Sequence, residues 1–155
     1  MMNALVKKLQ YKLQSLVLIT HAPDTFADAM DAFAATADVH TEPRKGTSYA
    51  FVIHFVQKPA DVQKAAKMIS SSLEADGVLW MAYPKKTSKK YKAEITRDDG
   101  WQALEDHGFE PVTLVSIDDD WSALRFRKVD FIKTMTRRTE MTLSKEGKQK
   151  TSGKK

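Results

Sequence analysis

The chain has 155 residues, 42% of them apolar and 29% charged, which is the size and composition of one globular domain. It contains no cysteine, so a disulfide framework, a thiolate metal site and a cysteine nucleophile are all excluded. The apolar runs are too short to span a bilayer and no signal-peptide pattern opens the sequence, so we expect a cytoplasmic protein.

The positive charge is concentrated at one end of the sequence. Residues 128–155 carry nine Lys or Arg against three acidic residues, a net charge of +6, whereas residues 1–127 carry 16 against 17, a net charge of −1. We therefore predict a basic, mobile tail over residues 130–155. A second group of five lysines lies within residues 85–92. A solvated loop explains this group, and so does a segment that attracts nucleic acid or another anion.

Taken in chain order, the apolar pattern alternates strands with helices. Leu5, Leu9 and Leu13 recur every four residues and predict an amphipathic arm over residues 1–14. Apolar runs predict strands over residues 15–20, 39–41, 49–56, 78–83, 111–117 and 121–129. Helical periodicity predicts helices over residues 23–37, over residues 59–77 with Gly77 as the C-cap, and over residues 97–107 with a capping box at Thr96 and Asp99.

This order of elements predicts the architecture of the chain. Strands that alternate with helices are joined by crossovers and run parallel. The last two strands are separated only by the acidic residues 118–120, so they must be antiparallel neighbours. We predict an α/β fold over residues 15–129: a three-layer sandwich around a mostly parallel, six-stranded, Rossmann-like sheet closed by a C-terminal antiparallel hairpin.

The same elements resemble a shortened class I methyltransferase, the fold that binds S-adenosylmethionine. Residues 73–81 (LEADGVLWM) are similar to the L-x-P-G-G-x-L step into the fifth strand of those enzymes, although here the step leads into the fourth strand. The chain also resembles a family of small uncharacterised bacterial proteins, a domain-of-unknown-function family. That second resemblance rests on residues 18–23 (LITHAP), 79–86 (LWMAYPKK) and 119–126 (DDWSALRF).

The turn after the first strand departs from the methyltransferase pattern. Those enzymes use a Gly-x-Gly-x-Gly turn there, because the backbone must turn sharply and approach the cofactor closely. Residues 20–24 (THAPD) contain no glycine, and Pro23 removes a backbone donor. Glu42, after the second strand, is the candidate for holding ribose hydroxyls, although a solvated turn explains it equally well.

Candidate ligand-binding residues follow from where ligands bind in such sheets, at the carboxyl ends of the strands. A histidine, backbone amides at the start of a helix and lysines come together there, a mixture that suits an anionic ligand such as a phosphate or nucleotide group. A crevice that binds nothing, with His21 as a cap and the lysines in water, explains the same residues. On the last strand, Trp121 and Arg125 share a face that is either a recognition surface with Arg stacked on Trp, or an edge strand protected by charge. The candidates are His21, Asp24, Glu42, Lys85, Lys86, Ser88, Trp121 and Arg125.

No catalytic or metal-binding motif is present in the sequence. There is no nucleophile–base pattern and no metal-ligand spacing among the histidines, and His54, inside a strand, is predicted to be a hydrogen-bonded core residue. We predict no cofactor and a non-catalytic methyltransferase-like module that binds an anionic ligand, nucleic acid or a protein partner. The alternative is a small S-adenosylmethionine-dependent methyltransferase with an atypical cofactor loop.

Overall fold

The computed structural model describes residues 3–132, so the predicted basic tail lies outside the described residues from residue 133 onward. The strands are β1 (Leu16–Thr20), β2 (Asp38–His40), β3 (Tyr49–Phe55), β4 (Leu73–Pro84), β5 (Phe109–Ser116) and β6 (Trp121–Lys128). The helices are α1 (Ala4–Lys8), α2 (Ala27–Ala34, preceded by a 3-10 turn at Asp24–Phe26), α3 (Pro59–Ser72) and α4 (Gln102–Asp106). Within the described part of the chain, no helix is long and apolar enough to cross a membrane.

The six strands form one sheet in the order β2-β1-β3-β4-β6-β5. The first four pair in parallel, and β6 pairs antiparallel with both β4 and β5. The predicted fold class, a mostly parallel six-stranded sheet with a C-terminal antiparallel hairpin, is confirmed. Because β6 lies between two other strands, the interpretation of Arg125 as charge protecting an edge strand is wrong, and β5 is the edge instead.

Two apolar cores lie on opposite faces of the sheet. Side chains alternate between the faces along β3, with Val52 in the core under α3 and α4, and Phe51 and Ile53 in the core under α1 and α2. Both faces of the central strands are therefore covered, which explains their unbroken apolar sequence. The carboxyl ends of β1, β2 and β3 meet at one edge of this sandwich.

The N-terminal segment packs against the sheet. Trp80 Nε1 donates a hydrogen bond of 2.8 Å to the Leu9 carbonyl, and Val6 and Leu9 are fully buried. The predicted apolar stripe does not continue to Leu13, whose side chain is 58% exposed. The reason is that α1 ends at Lys8, and both Gln10 and Leu13 adopt left-handed backbone conformations with φ of 64°.

Gly77 is not the C-cap of α3, contrary to the sequence-based prediction. The helix ends at Ser72, and Leu73 already has the extended φ and ψ of −86° and 131°. Gly77 lies inside β4, where a Cβ atom would stand only 3.1 Å from the Tyr49 carbonyl oxygen of the neighbouring strand. Crowding by Leu73 and Glu74 of the same strand, together with the close approach of β3 at an irregular register, favours glycine here.

The predicted helix over residues 97–107 is also shorter than expected, because α4 spans only Gln102–Asp106. The Thr96 hydroxyl oxygen accepts hydrogen bonds from the backbone N–H groups of Asp98 and Asp99, so it stabilises a turn that precedes the helix. The predicted end of the helix at residue 107 differs by one residue from the observed end at Asp106. Gly108, with φ of 86°, follows the helix in the left-handed conformation that suits glycine.

Candidate functional site

A cleft of about 620 Å³ opens at the edge where the parallel strands end. Its walls come from the residues that follow β1, β2 and β3, from the first residue of β6, and from α3. This volume is within the range of about 300–1,000 Å³ that is typical of small-molecule sites. Of the candidates from the sequence, His21, Glu42 and Trp121 line this cleft.

The turn after β1 is made by a histidine in an unusual backbone conformation. His21 has φ of 60°, in the left-handed region that glycine occupies most easily. Its side chain is exposed at the cleft, next to Pro23. The chain therefore makes a tight turn at this position without the glycine that the sequence lacks.

Thr20 and His54 form the floor of the cleft at the ends of two neighbouring strands. They are paired in the register of β1 and β3, and the Thr20 hydroxyl is hydrogen-bonded to His54 Nδ1. The His54 ring is buried, and its edge-to-face contact with His21 has a centroid distance of 5.4 Å. Burial, reinforced by the neighbouring His21 and opposed by Asp61, lowers the pKa of His54 to about 4. His54 is thus the hydrogen-bonded buried residue expected from the sequence, but it also lines the cleft.

Two carboxylates on the cleft wall differ in their availability. The Asp61 carboxylate accepts hydrogen bonds from the backbone N–H groups of Gln57 and Lys58, at 2.9 and 3.3 Å, and caps the start of α3. Glu42, after β2, is exposed, and its carboxylate accepts no hydrogen bond from residues 3–132. Glu42 is therefore the carboxylate that can bind a ligand hydroxyl. Lys64, on α3, adds a positive charge to the same lining.

The opposite wall of the cleft is aromatic. The Trp121 ring lies between the rings of Phe55 and Tyr91, at centroid distances of 5.1 and 4.9 Å. Trp121 is 2% exposed, and its Nε1 atom is buried without a hydrogen-bond partner among the described residues. Tyr91 is only partly buried and forms the accessible surface of this wall. We name Phe55, Trp121 and Tyr91 the aromatic wall.

The lysine-rich segment approaches the cleft but contributes no lysine to its described lining. Lys85 Nζ donates to the Ser116 hydroxyl at 2.7 Å, and the Ser88 hydroxyl donates to the Asp120 carboxylate at 2.8 Å. Lys86 is exposed beside them. Asp24, at the start of the 3-10 turn, is also exposed and lies outside the lining formed by residues 3–132.

Arg125 is distant from the cleft and does not stack on Trp121, as one interpretation of the sequence proposed. The two residues are four positions apart on β6, a spacing of about 13 Å along a strand. The Arg125 guanidinium is instead hydrogen-bonded to the Gln10 side chain. Burial is the main cause that lowers the pKa of Arg125, and the charge of Arg127 adds to this shift.

Several lining residues were not found from the sequence. Thr20 and Asp61 belong to ordinary strand-end and helix-start patterns, and Tyr91 lies in a segment dominated by lysines. Only the position of Thr20 after an apolar run and before His21 could have indicated a role. Among the described residues, no group of three or more His, Asp or Glu side chains could hold a metal ion, and the acidic residues 118–120 form the turn of the hairpin.

Comparison with known proteins identifies the fold. No protein-family model matches the sequence, and no significant match is found among curated proteins. Solved structures of methyltransferases do match. The N-methyltransferase NodS from Bradyrhizobium japonicum WM9 is 12% identical, with a TM-score of 0.50, over 79% of this chain and 93% of that chain. The glycopeptide N-methyltransferase MtfA is 10% identical, with a TM-score of 0.52, over 79% of this chain and 92% of that chain. A chain of the fibrillarin/Nop5p complex is 8% identical, with a TM-score of 0.52, over 76% and 74%.

These similarities show that the chain has a methyltransferase-like fold. The fold raises the question of whether the cleft suits S-adenosylmethionine. The left-handed backbone of His21 supplies a tight turn after β1. Glu42, the sequence candidate for holding ribose hydroxyls, lines the cleft after β2. The residues of the cleft thus fit a nucleoside cofactor, although Pro23 offers no N–H group to it.

Proposed function

We propose that this chain binds S-adenosylmethionine in the cleft and is a small methyltransferase with an atypical cofactor loop. The observation that carries the proposal is the φ of 60° at His21, which gives the turn after β1 a glycine-like backbone without glycine. The missing glycines were the main sequence argument against the cofactor, and this conformation removes the part of that argument that concerns the sharp turn. The similarity of the fold to methyltransferases supports the same choice.

In this proposal each wall of the cleft has a separate task. Glu42 would accept hydrogen bonds from the ribose hydroxyls, and the His21 turn would bend the backbone around the amino-acid end of the ligand. When bound, S-adenosylmethionine supplies a methyl group attached to a sulfonium sulfur, and the carbon of this methyl group is the electrophile. His54 is neutral at pH 7 because its pKa is about 4, so the buried floor of the cleft adds no positive charge that would repel this sulfonium.

A second candidate function is the non-catalytic module predicted from the sequence, which binds an anionic ligand, nucleic acid or a protein partner. Pro23 favours it, because a proline in the cofactor loop removes a backbone donor and its ring lines the cleft. In this alternative the fold is retained while the cofactor is not. The two candidates therefore differ in whether the full chain binds S-adenosylmethionine or its demethylated product.

Thermal unfolding of the full chain with each of these two ligands tests the proposal. A ligand at about ten times its dissociation constant stabilises the folded state by about 1.4 kcal/mol. We expect stabilisation of the wild type and its loss in Glu42→Gln, because the amide is a weaker acceptor for two ribose hydroxyls. Glu110→Gln removes an exposed carboxylate on β5 and is the matched control that should keep the shift. No shift of the wild type with either ligand contradicts the proposal and favours the non-catalytic module.

A further inference from the structure

The lysine-rich segment at residues 85–92, which we name the lysine loop, is held in place by the turn of the hairpin. The Lys85 backbone N–H donates to the Asp120 carbonyl at 2.8 Å, and the Ser88 hydroxyl donates to the Asp120 carboxylate at 2.8 Å. The Ser88 hydroxyl oxygen also accepts the backbone N–H of Tyr91, at 3.0 Å. These hydrogen bonds hold the backbone around Tyr91 in one position.

In this position Tyr91 covers Trp121, and the Tyr91 ring lines the cleft. The ring centroids of Tyr91 and Trp121 are 4.9 Å apart, and Lys90 Nζ lies 5.7 Å from the centroid of the Tyr91 ring. Tyr91 is only partly buried, and a planar base can stack on its ring when the exposed Lys90 side chain, which lies over the ring, moves aside. Buried Trp121 packs beneath this ring, and its Nε1–H group has no hydrogen-bond partner within residues 3–132.

Exposed lysines flank Tyr91 in the sequence, outside the lining of the cleft. The lysine loop contains no acidic residue among its eight positions, and its exposed members are Lys86, Lys89, Lys90 and Lys92. The nearest acidic turn is largely occupied, because the Asp118 carboxylate accepts two backbone N–H groups and the Asp120 carboxylate accepts the Ser88 hydroxyl. The exposed Asp119 remains. A single phosphate needs fewer positive charges than these four exposed lysines supply, so a ligand with several phosphates suits this segment better.

We propose that the Tyr91 end of the cleft and the lysine loop bind single-stranded nucleic acid, with one base stacked on Tyr91 and the backbone phosphates along the lysines. This proposal rests on the proposed function in one respect, because it names the class of substrate that the same cleft would methylate. The cofactor would occupy the end near Glu42, and the nucleic acid the end at the aromatic wall. A free nucleotide shares the chemistry of base and phosphate, but it would use only a fraction of the lysines.

The binding test uses the full chain and a labelled 12-nucleotide single strand of mixed sequence, followed by fluorescence anisotropy at several salt concentrations. We expect Tyr91→Leu, which keeps an apolar cover over Trp121, to weaken binding about tenfold through the loss of one stacked base. Tyr91→Phe keeps the ring and should retain the wild-type affinity. Adenosine monophosphate is the competing probe, and it should bind far more weakly than the strand.

The charge test compares two double variants that lose the same charge. Lys86→Gln with Lys89→Gln should reduce the slope of log affinity against log salt by about 1.4, as for two lost phosphate contacts on a single strand. Lys7→Gln with Lys12→Gln removes exposed lysines of the N-terminal segment and should leave the slope unchanged. Equal effects of the two pairs, wild-type affinity in Tyr91→Leu, or equally tight binding of the mononucleotide would overturn the proposal.

The outcomes also separate this proposal from the proposed function. Strand binding that depends on Tyr91, without any thermal shift by S-adenosylmethionine or its product, contradicts the methyltransferase and leaves the nucleic-acid site standing. A thermal shift that depends on Glu42, with strand binding that ignores both Tyr91 and the lysine loop, contradicts only the nucleic-acid site. Melting temperatures of all variants without ligand verify that each is folded.

Discussion

The hydroxyl of Thr20 is hydrogen-bonded to His54 Nδ1, and this bond joins the ends of β1 and β3 at the floor of the cleft. Both side chains are buried, so each depends on the other for a hydrogen-bond partner. The bond also fixes the orientation of the imidazole ring beneath the exposed His21. The shape of the cleft floor therefore depends on one pair of polar side chains.

Replacement of Thr20 by valine should destabilise the fold, because it leaves His54 Nδ1 buried without a partner. The expected loss is about 1–3 kcal/mol in the free energy of unfolding, the usual cost of an unsatisfied buried polar group. Urea denaturation measures it. Thr20→Ser retains the hydroxyl and should lose much less. A loss in Thr20→Ser together with none in Thr20→Val, which keeps the methyl group, would show that packing of the methyl group and not the hydrogen bond matters here.

The lowered pKa of His54 predicts a loss of stability in mild acid. The unfolded chain binds a proton at this residue near pH 6.5, whereas the folded chain binds it only near pH 4. The free energy of unfolding is therefore unaffected by His54 above pH 6.5 and falls by about 3 kcal/mol as the pH drops from 6.5 to 4. Urea denaturation across this range should show the fall in the wild type.

A variant without a titrating group at this position supplies the control. His54→Gln should show a smaller fall between pH 6.5 and 4 than the wild type, because the amide does not bind a proton in this range. His107→Gln removes an exposed histidine at the C-terminal end of α4 and should keep the full fall. If His54→Gln had the same pH profile as the wild type, the buried imidazole would not be the group responsible.

The sequence predicted the sheet well because its strands have a physical signature. The apolar runs of β1 and β3 reflect burial on both faces, and the short hairpin connection permits only antiparallel pairing. Helix ends were harder to predict, since Gly77 suits both a left-handed cap and a crowded strand. The decision depends on contacts that a Cβ atom would make in the folded chain, with Leu73 and Glu74 of the same strand and with the Tyr49 carbonyl of the neighbouring strand.

The candidate site could be predicted only where topology alone determines position. His21 and Glu42 follow strands whose carboxyl ends must share an edge, so their proximity to the cleft was foreseeable. The pairing of Thr20 with His54 depends on the register between β1 and β3, which apolar periodicity does not encode. Tyr91 depends on hydrogen bonds from the lysine loop to the hairpin, and no local pattern indicates those.

Disruption of the ion pair between Asp76 and Arg127 should weaken the attachment of β4 to β6. The Arg127 guanidinium donates two hydrogen bonds to the Asp76 carboxylate, at 2.7 and 2.6 Å, and these bonds are the main cause that lowers the pKa of Asp76. We expect Asp76→Asn to lose about 1–2 kcal/mol in the free energy of unfolding at pH 7. Asparagine tolerates the φ of 52° at this position, so the backbone should not change.

Two measurements check that the charge is responsible for this loss. Because the folded pKa of Asp76 is lowered, its contribution is present above the unfolded value of 3.8 and disappears as the pH falls below it. The difference between Asp76→Asn and the wild type should therefore shrink at low pH. Asp98→Asn breaks an exposed pair with Arg97 and should cost no more than about 0.5 kcal/mol, so a similar loss there would argue against the role of partial burial.

The left-handed backbone at His21 makes opposite predictions for glycine and valine at that position. His21→Gly relieves the conformational strain but increases the freedom of the unfolded chain, so stability should change by less than about 1 kcal/mol. His21→Val places a β-branched side chain at φ of 60° and should lose about 1–3 kcal/mol. Leu13 has φ of 64° away from the cleft, so Leu13→Gly and Leu13→Val form a matched pair without any expected effect on ligands. In thermal unfolding with S-adenosylmethionine or its product, His21→Gly should keep the stabilisation of the wild type. Its loss in His21→Gly would mean that the imidazole itself, and not the turn of the backbone, holds the ligand.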